Sequence, residues 1–245
     1  MIEIATFVGV DLGWYGKPSG LASIEYDGAG LRFRDSLRLT AHDDILDWIG
    51  RETGSGTAVV AVDAPLVIPN DSGIRLGERE LNREFQRFHA GCHPANLGRP
   101  FAQHVTEFSR KLEEMGFIHG PSMQARQPGR FQIEVHPHAA AVKLFGLDRI
   151  VKYKRGRRAE RAAELNRLRT LLADRLAESD PRVALTLPPV PATGNTKDAE
   201  DRIDAVLCAY IAAYWWHWGT ERNSVFGNAC EGYIVVPNPG GILRR

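Results

Sequence analysis

The sequence predicts an α/β fold: one mixed, five-stranded sheet flanked by helices, with an insertion after the fourth strand. Three features carry that prediction. Strand-like segments fill the opening of the chain, a helix and a continuous β-branched run follow them, and the longest helical pattern comes late. A meander followed by a crossover gives antiparallel pairing first and parallel pairing after it.

Residues 4–11 are an apolar run, and residues 20–26 and 31–39 alternate as half-buried strands do. Between the second and third, Asp27-Gly28-Ala29-Gly30 is a hairpin signal. Residues 42–50 carry Ile45, Leu46, Trp48 and Ile49 on one helical side, with Thr40 available as a cap. Residues 57–62 are continuously apolar, which suits a parallel strand buried on both faces. The insertion, about 66–128, holds helical pieces at 78–88 and 105–115. Strand character returns at 131–135. Helices are expected at 138–145, 159–178 and 198–218, with a Pro-rich connector at 181–193 and a last strand at 233–236. No repeat or linker divides the chain, so residues 1–245 read as a single domain.

Composition narrows the function classes. A hydrophobic share of 43% and a charged share of 25% are ordinary for a soluble globular protein. Cys92, Cys208 and Cys230 are widely spaced and form no CxxC, so they read as reduced thiols of a reducing compartment. The start MIEIATFVGVDLG lacks a basic region and a cleavage site, and the apolar stretch 205–218 is too short to span a bilayer. The expectation is a cytoplasmic protein with no membrane partner. A net charge of +1 excludes a globally basic nucleic-acid binder. It leaves room for a local patch: residues 151–169 hold eight bases against two acids.

The acids are the most informative residues. Asp11 and Asp63 each end an apolar run, which puts them at the carboxyl edge of the sheet, where α/β proteins bind ligands. Each is also readable as a plain turn or cap aspartate. Glu134 lies between Ile133 and Val135 and needs compensation unless it faces outward. Asp201 and Asp204 share a helix face. Asp201 falls near the helix start, where capping alone accounts for an acid. Asp204 has no such reading, because Ala205, Val206, Leu207 and Cys208 follow it at once, and a cation is the economical partner. Hard oxygen donors of this kind suit Mg²⁺ or Mn²⁺.

The remaining candidates each have a blander reading as well. Lys152, Lys154, Arg155, Arg157 and Arg158 precede a leucine-lined helix and are either a phosphate-binding patch or a solvated face. Arg75, Arg79 and Arg83 recur every four residues on the insertion, so Arg79 and its neighbours join the nucleic-acid candidates on the same terms. His136 and His138 follow Glu134 closely, as possible water-orienting groups or as surface histidines. Trp14, Trp215, Trp216 and Trp218 read as core or interface. His89, Cys92 and His93 fit no common zinc spacing, and Gly9, Gly13 and Gly20 form neither a P-loop nor a dinucleotide fingerprint.

The strand order, the aspartates ending strands one and four, and the late helix with D-x-x-D-A resemble the RNase H-like superfamily, its Holliday-junction resolvase branch most closely. VGVDLGW, SGLA, VAVDAPL, IEVHPHAA, KYKRGR, DRIDAVLCAY and EGYIVVP, in that order, resemble the predicted-nuclease family known as domain of unknown function 429, from about residue 7 to 237. The resemblance implies metal-ligand roles for Asp11, Asp63 and Asp204 and a further place for Asp201. Glu134 lies outside its simplest acid core. The implied activity is hydrolysis of phosphodiester bonds in RNA or DNA by carboxylate-bound Mg²⁺ or Mn²⁺, with these five acids as the catalytic set. Two alternatives stay open: a phosphotransferase or ATPase related to the actin-like and sugar-kinase fold, and a non-catalytic nucleic-acid-binding protein.

Overall fold

Strands form where the alternation predicts them. The computed structural model describes residues 4–14 and 16–240. Its first half runs β1 (Ala5–Asp11), β2 (Ser19–Tyr26), β3 (Leu31–Leu39), α1 (His42–Thr53), β4 (Thr57–Val62), α2 (Leu76–Phe85) and α3 (Ala102–Glu114). Then follow β5 (Ile118–His119), β6 (Arg130–Glu134), α4 (Pro137–Phe145), α5 (Arg158–Glu178), α6 (Lys197–Trp218), β7 (Asn223–Asn228) and β8 (Gly232–Pro237). At the first hairpin, Asp27 Oδ1 accepts the N–H groups of Ala29 and Gly30 at 2.9 and 3.1 Å. Gly28 there takes a φ of 90°, which glycine tolerates without a Cβ clash.

The main sheet has six strands, not five, in the order β3-β2-β1-β4-β6-β5. Pairing is antiparallel for β1/β2 and β2/β3 and parallel for β1/β4, β4/β6 and β5/β6. The additional strand is β5, two residues inside the insertion. So short a segment shows no alternation to read. The expected last strand also differs: β8 pairs with β7 in a separate antiparallel sheet and meets the main one through a parallel bridge from Val135 to Val235.

Period-two alternation splits the core into two layers. Phe7, Ile24, Val59, Ala61 and Ile133 pack with α4, α5 and α6. Val8, Val10, Val60 and Val62 face the other way, onto Ile45 and Ile49 of α1 and Phe108 and Leu112 of α3. The insertion therefore wraps the sheet: α3 covers one face, while Leu81 and Phe85 of α2 pack on Phe226, Ile234 and Val236 of the second sheet. Among the described residues no helix is long and apolar enough to cross a membrane.

From Ile203 to Trp216 every residue of α6 is buried. Two glycines let it lie directly on the sheet. A Cβ at Gly9 would stand 2.0 Å from the Ala205 carbonyl oxygen, and one at Gly20 would stand 1.9 Å from that of Asp201. That close approach sets the depth of the acids on α6.

Candidate functional site

The β1/β4 register pairs Val10 with Val62, and the Asp63 N–H donates to the Val10 carbonyl at 2.8 Å. Asp11 and Asp63 are thus neighbours at the carboxyl edge. Alternation fixes their side: Asp11 shares a face with Gly9, and Asp63 with Ala61 and Val59, which is the face covered by α6. Asp204, fully buried, comes up from α6 beside the Ala205 carbonyl that packs on Gly9.

The cation beside Asp204 comes from the basic run. Val151 and Tyr153 are buried, and Lys154 turns inward after them. The Tyr153 hydroxyl donates to Asp204 Oδ1 at 2.6 Å, and Lys154 Nζ stands 2.8 Å from Asp204 Oδ2 with its side chain 33% exposed. Oδ2 makes no aligned hydrogen bond, so its pairing is with the ammonium charge alone.

Burial pushes the Asp11 carboxyl well above the usual range, and Asp204, Asp63 and Asp201 add to that against the pull of Lys154. Burial opposes ionisation at Asp63 too, but His136, Lys154 and His138 outweigh it and hold that acid below its ordinary value. Burial likewise opposes the Lys154 charge, yet the acids, Asp204 foremost, hold it well above the usual lysine range. Carboxylates this close do not all ionise without a counter-charge.

Among the described residues no group of three or more His, Cys, Asp or Glu is arranged to hold a metal ion. The donors nevertheless fit a hard divalent cation in chemistry. They are carboxylate oxygens at one sheet edge, with one buried oxygen lacking an aligned partner and an ammonium standing in as the positive charge. Convergence on a metal requires Lys154 to withdraw.

Two predicted site residues line the same cleft as Asp11 and Asp63 but are held by other partners. Glu134 pairs in register with Val62, so it points to the face opposite Asp63. There it meets Arg75 through two hydrogen bonds, at 2.6 and 2.9 Å, and accepts the Leu66 N–H at 3.0 Å. Arg75 also bonds Glu78 Oε1 at 2.9 Å. Burial opposes its charge, but the two glutamates hold the guanidinium above the usual arginine range. Arg75 is therefore separated from the exposed Arg79 and Arg83 rather than aligned with them. Asp201 is buried with Arg38 Nη2 at 2.8 Å and Lys197 Nζ at 2.7 Å, so two cations compensate it and it caps nothing.

Of the predicted nucleic-acid contacts, Lys154 alone lines the cleft above the acids. Lys152, Arg155, Arg157, Arg158 and Arg79 are exposed outside it. The helix expected at 159–178 opens at Arg158, where Glu160 accepts the Arg157 N–H at 3.1 Å, so the earlier bases precede it. No sequence signal points to the inward lysine: Val151 and Tyr153 alternate with Lys152, and the same alternation would send Lys154 outward.

The cleft has a volume of about 890 Å³ and runs from Asp11 and Asp63 past His136 to Trp14. His136 Nε2 lies 3.2 Å from the Ala90 carbonyl, which turns Nδ1 toward Asp63 Oδ1 at 3.9 Å. Burial, with Lys154 and His136, lowers His138 to about 4, so it is neutral near pH 7. Trp215 and Trp216 are core residues, as expected, but Trp14 is 66% exposed on the cleft wall.

A family model described as "Protein of unknown function (DUF429)" matches residues 9–229. No curated protein matches the chain.

Proposed function

The chain belongs to the family described as protein of unknown function (DUF429), and since that description assigns no reaction, we propose one from the acids. The protein is an RNase H-like hydrolase of phosphodiester bonds in RNA or DNA, working at Asp11, Asp63 and Asp204 with Mg²⁺ or Mn²⁺. One observation carries the reading. Two aspartates at the ends of neighbouring parallel strands share a sheet face with a fully buried third, and that third is compensated by an ammonium a divalent ion can replace. The strand order β3-β2-β1-β4-β6 and the late helix on β1 support the fold assignment.

Asp11, Asp63 and Asp204 would hold the ion, which when bound supplies charge to activate a water and to stabilise the leaving oxygen. The chain's own groups prepare that site. Tyr153 fixes the Asp204 carboxylate through Oδ1 and leaves Oδ2 turned toward the cation position. His136, oriented by the Ala90 carbonyl, presents a ring nitrogen on the Asp63 side, placed to take a proton from water. The exposed bases Lys152, Arg155, Arg157 and Arg158 offer phosphate contacts to a longer strand.

Lys154 supports a second reading, a non-catalytic nucleic-acid-binding protein, because its ammonium neutralises Asp204 without a metal. Calorimetry with Mn²⁺ and cleavage of labelled single strands of RNA and DNA decide between them. The hydrolase reading expects Mn²⁺ to bind wild type, Asp11→Asn to abolish binding and cleavage while staying folded, and EDTA to stop the reaction. No Mn²⁺ binding and no cleavage of either strand would overturn it.

A further inference from the structure

Asp11 and Asp63 line the cleft, and other residues of its lining carry different chemistry. Trp14, three residues beyond Asp11, is 66% exposed and lines the cleft. Phe101, at the start of α3, braces it edge-on, with ring centroids 4.9 Å apart and planes at 83°. The backbone of Gly13 and Trp14 makes several hydrogen bonds. The Gly13 N–H donates to Ser19 Oγ at 2.9 Å, His104 Nε2 lies 3.0 Å from the Gly13 carbonyl, and the Lys17 N–H donates to the Trp14 carbonyl at 2.7 Å. A Cβ on Gly13 would stand 2.4 Å from the Pro18 carbonyl oxygen, so the backbone at these two residues approaches closely.

Two exposed cations, Lys17 and Arg99, also line the cleft. The other cleft cations are committed: Arg75 to Glu134, Arg38 and Lys197 to Asp201, and Lys154 to Asp204. Among the described residues neither Lys17 nor Arg99 has a carboxylate within ion-pair distance.

A lone exposed tryptophan means little. A braced indole beside two uncommitted cations, inside a cleft, selects a flat ring carrying an anion. Stacking a base on an aromatic side chain is worth roughly 1–3 kcal/mol, and a guanidinium meets phosphate oxygens in a fork. The cleft volume of about 890 Å³ falls near the top of the roughly 300–1,000 Å³ range of small-molecule sites. That suits one or two nucleotide units.

We propose that Trp14, Lys17 and Arg99 form a nucleotide subsite, with a base on the indole and its phosphate held by the two cations. A base so placed has left its duplex stack, so the nucleic acid entering the cleft is single-stranded there. As a substrate subsite this rests on the hydrolase reading; as a binding site it is measurable without it.

Calorimetric titration in EDTA of adenosine 5′-monophosphate, adenosine and inorganic phosphate tests the subsite. The nucleotide should bind wild type. Trp14→Ala should weaken it about tenfold, within the span that stacking predicts, and Trp14→Phe should weaken it less. The double variant Lys17→Gln/Arg99→Gln should weaken the nucleotide about tenfold, as loss of charged phosphate bonds implies, and leave adenosine unchanged. All three positions are exposed, so unfolding midpoints should stay at the wild-type value. Failure of the nucleotide to bind, or equal affinity in wild type and Trp14→Ala, overturns the proposal. These binding losses in a protein that cleaves no strand with Mn²⁺ would keep the subsite and remove the hydrolase. Mn²⁺-dependent cleavage with an unchanged KM in both the Trp14→Ala and double variants would do the reverse.

Discussion

Lys154 Nζ and Asp204 Oδ2 stand 2.8 Å apart at the carboxyl edge of the sheet, with the acid fully buried and the lysine side chain 33% exposed. The two partners are unequal. Lys154 can swing toward solvent without opening the core, whereas Asp204 is fixed by Tyr153 and by the helix it belongs to. On the proposed reading, a divalent cation would compete with the ammonium for this carboxylate.

Lys154→Met should reveal that competition. Without metal the variant leaves Asp204 uncompensated and should lose on the order of 2 kcal/mol, less than the roughly 3–5 kcal/mol of a fully buried broken pair, because the lysine is partly solvated. Mn²⁺ should restore the loss and bind the variant more tightly than wild type. Thermal unfolding with and without Mn²⁺ measures both effects, and wild-type behaviour in both would remove Lys154 from the site.

Glu134 and Arg75 should behave as a structural pair. Glu134→Gln or Arg75→Met alone should destabilise by roughly 3–5 kcal/mol, since each strands a buried partner, and the double variant should lose clearly less than their sum. Urea unfolding of the cycle reads the coupling. Mn²⁺ affinity should survive in every variant that folds; its loss in Glu134→Gln would return that glutamate to the acid cluster.

Gly9→Ala tests how α6 is seated. Its Cβ would stand 2.0 Å from the Ala205 carbonyl and 2.2 Å from the Ala209 nitrogen, both backbone atoms that cannot rotate away. The expected cost is about 3 kcal/mol, the upper part of the usual range for overpacking. Any folded fraction should bind Mn²⁺ more weakly, because Asp204 moves with the helix. Gly54→Ala is not a suitable control, since Gly54 has a φ of 52°; Gly56→Ala, in open space, should be near neutral.

His138 gives the fold an acid-sensitive component. Burial lowers its folded value to about 4 from an ordinary 6.5. Between those values the unfolded chain binds the extra proton, so stability rises with pH across the window and is lost as pH falls from about 6.5 toward 4. The ceiling is ~3 kcal/mol. His138→Phe should flatten the dependence of urea midpoint on pH in that window; an unchanged profile would show that the ring is not held neutral.

Much of this molecule is readable in the order of its residues. Alternation located β1, β2 and β3, the continuous run located β4, and both put Asp11 and Asp63 at strand ends. Those features are local: each follows from neighbours in sequence and from the two faces of a strand. Tertiary packing decided the rest. By pattern Asp63 ends a strand and Glu134 lies inside one, and register gives them opposite faces, so that only Asp63 faces α6. The partner of Glu134 is Arg75, brought from the insertion, and the partner of Asp204 is Lys154, taken from a run in which Lys152, Arg155, Arg157 and Arg158 face water. Both are separated along the chain by dozens of residues, 59 between Arg75 and Glu134. Sequence pattern states that a buried charge needs a counter-charge; which distant side chain supplies it is set by how helices and sheet close-pack, and no periodicity records that choice.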